Sequence, residues 1–148
     1  MNKTKIAISG IGAVGGYYGG LLAARYKDTE GIDLYSFSRT ENLNEIRENG
    51  IEIKNTFLTI KARPTLATDN PAEIGPVDYL FCCTKSYDLE ENIAQLAPVI
   101  GPNTVIIPLL NGADIAEYSS YCRTMRYGKD AFTSVPVWSN RERWKSSP

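Results

Sequence analysis

Apolar positions along this chain fall into short β-branched or aromatic runs separated by stretches with helical spacing. Lys5 to Ser9, Ile32 to Phe37, Val77 to Cys83 and Thr104 to Leu109 read as strands. The last two are continuous apolar runs, the pattern of parallel strands covered on both faces. Between them, the residues from Gly12 to Tyr26, Glu41 to Glu48 and Asp88 to Leu96 read as helices, and Ala113 to Tyr118 opens a further one. Gly50 to Lys54 and Phe57 to Ala62 alternate apolar with polar and are expected to pair as a hairpin across Asn55-Thr56. After Pro64, Leu66 to Thr68 is extended, and Asn70-Pro71-Ala72-Glu73 resembles a helix start with Asn70 as cap and Pro71 in the first position. Strands alternating with helices at this spacing predict an α/β fold built on a doubly wound parallel sheet.

The first strand runs into Gly10-Ile11-Gly12-Ala13-Val14-Gly15 and then a helix, which is the context in which a G-x-G-x-x-G loop binds a dinucleotide. Gly10 permits the sharp turn, Gly12 lets the backbone approach a pyrophosphate, and Gly15 lets the helix lie close to the strand. The free N–H groups of the helix start face the phosphates. Gly15, Gly16, Gly19 and Gly20 each cost the helix about 1 kcal/mol relative to Ala, so something else requires small residues there. Gly15 and Gly19 share one face, where a sheet or a cofactor can come close. Tyr18, Leu21, Leu22 and Tyr26 are expected to form the helix's apolar side.

Composition narrows the function classes. At 148 residues, 43% hydrophobic and 22% charged, the chain has the size and make-up of one globular domain. No segment approaches a membrane span, and the N-terminus enters a strand without a secretory apolar stretch, so a cytoplasmic protein is expected. Cys82, Cys83 and Cys122 have no zinc-ligand spacing and read as free thiols. Histidine is absent, which removes the commonest metal ligand and general base; no metal site is expected. Residues 1 to 121 carry 10 Lys+Arg against 15 Asp+Glu, and residues 122 to 148 carry 6 against 2. The basic tail lacks a Lys/Arg block, so it reads as a poorly ordered terminus and no nucleic-acid partner is expected.

In doubly wound sheets ligands bind beyond the carboxyl ends of the strands. After the second strand an NAD-binding unit would place an acidic residue on the ribose hydroxyls; here stand Ser38 and Arg39, a hydroxyl and a guanidinium suited to a 2′-phosphate. NADP is therefore expected over NAD, although Glu41 is close enough to weaken the preference. Lys85 follows the fourth parallel strand and Asn111 the fifth, so both reach the same edge. Alone, Lys85 would be a solvated cation and Asn111 a turn residue or cap; with the glycine loop they form a convergent set.

These residues carry a resemblance. IGAVGGYYGG after a strand, SR after the second, NGIEIKN, and PAEIGPVDYLFCCTKSYDLEENIAQLAPVIGPNTVIIPLLNGAD are together similar to the N-terminal domain of the ketopantoate reductase (2-dehydropantoate 2-reductase) family over residues 3 to about 117. The resemblance implies a Rossmann-type fold and NADPH-dependent reduction of 2-dehydropantoate to pantoate, a step towards coenzyme A. By position it implies that Gly10, Ile11, Gly12, Ala13, Val14 and Gly15 hold the pyrophosphate, with Arg39 at the 2′-phosphate. It puts Lys85 and Asn111 at the nicotinamide end, Asn111 also touching substrate. Family members continue into a helical domain with a proton-donating Lys and an acidic substrate ligand, and neither is matched here. The expectation is an NADP-binding domain over residues 1–118 and a divergent tail over 119–148, truncated or frame-shifted, inactive alone and prone to homodimerise through exposed apolar surface. Two alternatives compete: a non-catalytic nucleotide-binding or interaction module, and a reductase of another 2-keto acid.

Overall fold

The computed structural model describes residues 3–54, 56–85 and 88–109. Five parallel strands form one sheet in the order β5-β2-β1-β6-β7: β1 (Thr4–Ser9), β2 (Ile32–Phe37), β5 (Leu66–Thr68), β6 (Val77–Cys82) and β7 (Ile100–Pro108). The strand order reverses at β1, from which the chain builds outward to β2 and β5 and later to β6 and β7. Helices α1 (Ala13–Tyr26), α2 (Thr40–Asn49) and α3 (Leu89–Gln95) flank the sheet in a Rossmann-like arrangement. Strands β3 (Ile51–Lys54) and β4 (Thr59–Ala62) form a separate antiparallel hairpin.

The core follows from the register. Ile6 and Ile8 pair with Leu34 and Ser36 of β2, and the apolar members of this set pack with Ala23 of α1 and Ala62 of β4. Leu43 and Ile46 of α2 close on Ile51 and Ala67. The buried face of α1 is formed by Gly15, Gly19, Gly20 and Ala23, so the helix sinks towards sheet and hairpin. Side chains added at Gly19 and Gly20 would meet Ile8 Cδ1 at 3.2 Å and Ile53 Cδ1 at 2.8 Å. The expected apolar side holds only in part: Leu22 packs against this core, but Tyr18 is 47% exposed, because glycines have taken the inward positions.

Other expectations shift in detail. The hairpin register pairs Lys54 with Thr59, so its connection is longer than the Asn55-Thr56 turn, and β4 begins at Thr59 rather than Phe57. The extended Leu66–Thr68 is the edge strand of the main sheet. Asn70 does cap, its Oδ1 accepting from the Ala72 N–H at 3.2 Å, but the helix it starts is only a single 3-10 turn, Pro71–Glu73. In β6, Asp78 is exposed and accepts from the Lys5 N–H at 2.8 Å, and Tyr79 is 42% exposed, so the strand is not covered on both faces throughout. Strand β7 starts earlier than Thr104; its pairing with β6 shifts between Val77 and Tyr79, where the Thr104 hydroxyl donates to Val77 O. The helix expected over Ala113–Tyr118, the tail and Cys122 lie outside the described residues.

Candidate functional site

The carboxyl ends of β1, β2 and β6 open onto a cleft of about 510 Å³. Its floor is the glycine loop. Gly10 takes φ +83°, and a Cβ there would stand 2.8 Å from the Thr84 backbone N, so both conformation and space demand glycine. At Gly15 a Cβ would stand 2.1 Å from Gly10 O. Gly12 differs: an added Cβ meets nothing within 4 Å. It is the N-cap of α1, with no side-chain cap and no acidic residue in the first turn. A fourteen-residue helix thus starts on open space with neither a side-chain cap nor an acidic residue in its own first turn to offset its end charge. In the adjoining wall the Thr84 hydroxyl is buried without a hydrogen-bond partner among the described residues. Open space at Gly12 and an uncapped helix start fit a pyrophosphate.

The second strand delivers Ser38 and Arg39 to the same cleft. Ser38 is buried, its N–H donating to Thr68 O at 3.3 Å across to β5. Arg39 is the N-cap of α2 with extended backbone, and its guanidinium crosses to Gln95 Oε1 on α3. No carboxylate lies within ion-pair distance of Arg39 among the described residues. Lys85 lies just beyond β6, lining the cleft, its carbonyl accepting from the Asp88 N–H at 3.0 Å. The structure therefore gathers the glycine loop, Ser38, Arg39 and Lys85 around one space; Asn111 lies outside the described residues.

Cys83 shares this wall. Burial pushes its thiol up to about 11, so it is a neutral, unreactive group at physiological pH. Sequence reasoning missed the polar side of α3. Asn92 Oδ1 accepts from the Ser9 hydroxyl at 2.9 Å, tying the helix to the end of β1, and Gln95 meets Arg39. The only sequence signal was their i, i+3 spacing on a helix that follows a strand end. A larger hollow of about 990 Å³ lies at the opposite edge, near Lys3, Asp33 and Arg63. Three of its charges are already engaged, Lys3 with Asp33 at 3.0 Å and Arg63 with the carbonyls of Arg47 and Glu48. The smaller cleft is the one at the sheet's functional edge.

Comparison with known proteins agrees with this geometry. The family model described as "Ketopantoate reductase PanE/ApbA" matches residues 6–120. A 2-dehydropantoate 2-reductase of Mesorhizobium japonicum is 32% identical over 108 residues, covering 73% of this chain and 32% of the relative. The chain thus spans about a third of that relative's length. The crystal structure of 2-dehydropantoate 2-reductase from Porphyromonas gingivalis W83 is similar at TM-score 0.74 and 49% identity, over 79% of this chain and 42% of that one. A ternary structure of D-mandelate dehydrogenase with NADH and anilino(oxo)acetate is similar at TM-score 0.60 and 25% identity, over 80% and 37%. With the match covering most of the sequence and extending over the sheet that builds the cleft, this chain belongs to the ketopantoate reductase PanE/ApbA family.

Proposed function

We propose that this chain supplies the NADPH-binding half of a reductase converting 2-dehydropantoate to pantoate, in the cytoplasm. The observation that carries the cofactor reading is the cleft in which an uncapped glycine loop and Arg39 stand at neighbouring strand ends, with no acidic residue paired to Arg39 among the described residues. When bound, the cofactor supplies a hydride to a carbonyl carbon.

The chain's own residues bind and orient. The N–H groups at the start of α1 take the pyrophosphate, and Gly12 leaves it room. Arg39 grips the 2′-phosphate by charge-assisted hydrogen bonds, with Ser38 beside it. Lys85 contributes positive charge at the nicotinamide end, where charge grows on the substrate oxygen; Asn111 orients the substrate there. With no histidine in the sequence, acid-base chemistry by this chain would use Lys, Glu, Asp, Tyr or Cys, and the family resemblance implies a proton-donating Lys. The family resemblance assigns that Lys, and an acidic substrate ligand, to a helical domain beyond the residues matched. The 148-residue polypeptide alone is accordingly expected to bind NADPH and to show no measurable turnover.

Fluorescence titration with NADPH and NADH tests the reading, beside an absorbance assay with 2-dehydropantoate. Tighter NADPH binding without turnover is the expected result. Failure to bind either dinucleotide leaves the non-catalytic module in its place. The likeness to an NADH-bound D-mandelate dehydrogenase favours a second reading, an NADH-dependent reductase of another 2-keto acid, which NADH preference would establish.

A further inference from the structure

The Arg39 guanidinium spans the cleft mouth from the start of α2 to Gln95 at the end of α3, a separation of 56 residues in sequence. Gln95 is itself held: its Nε2 donates to Glu91 Oε1 one turn earlier, at 2.8 Å. That bond fixes the amide orientation, since Nε2 can only donate and Oε1 can only accept. The oxygen is therefore turned to the arginine. Gln95 thus stands between a guanidinium and a carboxylate, linked to both and neutral itself. A carboxylate in its place would pair with Arg39 and set the cation's charge against its own.

We infer that Gln95 is a positioning residue for cofactor choice: it holds Arg39 across the cleft mouth, with no carboxylate within ion-pair distance of the guanidinium among the described residues, ready for a phosphate on the ribose. The inference rests on the proposed role of Arg39. An arginine has five donors in a rigid fork, and Gln95 occupies one side of it, leaving the rest for a phosphate. Holding the side chain beforehand lowers the ordering cost of binding. The contribution is specific to the phosphorylated cofactor, because NADH has no group at that position.

Affinities for NADPH and NADH, measured on the full chain and its variants, test this. Gln95→Ala is expected to weaken NADPH binding about threefold through lost ordering of one long side chain, and Gln95→Glu about tenfold through a competing ion pair. NADH affinity stays unchanged in both. In an Arg39→Ala background, Gln95→Ala has no further effect on NADPH. Gln95 is exposed, so both variants are expected to fold, and circular dichroism checks this. If the unmodified chain does not prefer NADPH, or Arg39→Ala leaves the preference intact, the Arg39 reading itself fails. If Arg39→Ala abolishes the preference but neither Gln95 variant changes it, or both cofactors weaken together, the assignment of Gln95 is overturned while that of Arg39 stands.

Discussion

Gly10 and Gly15 are in contact through backbone alone: a Cβ on Gly15 would lie 2.1 Å from Gly10 O and 3.1 Å from Cys83 Cβ. Gly12, between them, has open space where its side chain would be. The three glycines of one motif therefore have separable roles. Gly15→Ala must push α1 away from the turn and is expected to cost at least about 3 kcal/mol or prevent folding. Gly12→Ala should change stability by under about 1 kcal/mol, since glycine and alanine differ modestly at an N-cap. NADPH binding should nevertheless weaken at least about tenfold, because the methyl group occupies pyrophosphate space. Urea unfolding beside cofactor titration checks both; equal binding by Gly12→Ala would make the loop a turn only.

Arg39 gives the second prediction. Arg39→Ala is expected to remove about 1.5 to 3 kcal/mol of NADPH binding, the value of hydrogen bonds to a charged group, and to leave NADH affinity nearly unchanged. The guanidinium is exposed, so stability should hardly move. Isothermal titration with both cofactors makes the comparison, and equal losses for the two would assign Arg39 to folding rather than to the phosphate.

How much of the fold and the cleft is legible in the sequence differs by residue. The alternation of apolar runs with helical spacing identified the doubly wound sheet, and the strand ends brought Gly10, Ser38, Arg39 and Lys85 to one edge. Local pattern sufficed there because period and punctuation are local properties. It failed where tertiary contact decides. Tyr18 faces outward because Gly15 and Gly19 draw the helix onto the sheet, a preference set by Ile8 and Gly10 from another element. Leu66–Thr68 is too short to show a period, yet Ser36 pairs with Ala67 and makes it a strand. The Arg39 contact with Gln95 joins two helices far apart in sequence, and neither residue's neighbours announce it.

Ser36 supplies a stability prediction. It is 2% exposed and its hydroxyl has no hydrogen-bond partner among the described residues, in a strand between Ile8 and Ala67. A buried hydroxyl without a partner carries its desolvation penalty unrelieved. Ser36→Ala removes that atom and little volume, so the chain should gain about 1 kcal/mol. Chemical denaturation reads the gain as a higher midpoint at unchanged slope; a loss instead would show that the hydroxyl has a partner in solution.

The Cys83 thiol links the cleft wall to pH. Burial raises it from 9.0 to about 11, because the apolar surroundings disfavour the thiolate. The folded chain therefore holds this proton where the unfolded chain has released it. Its contribution to stability is complete below about pH 9 and falls as pH rises towards about 11, since over that window the unfolded state binds fewer protons. Two measurements check this. Alkylation of Cys83 should be slow at neutral pH and rise with thiolate fraction up to about 11, with the rate read as the difference between the chain and its Cys83→Ser variant. The unfolding free energy should fall more steeply from about pH 9 to about pH 10 in the chain than in that variant, because serine does not titrate there. Rapid alkylation at neutral pH with the fold intact would mean that the wall beside Gly10 opens to water. Bound NADPH should slow the reaction further, because Cys83 lines the cleft assigned to the cofactor.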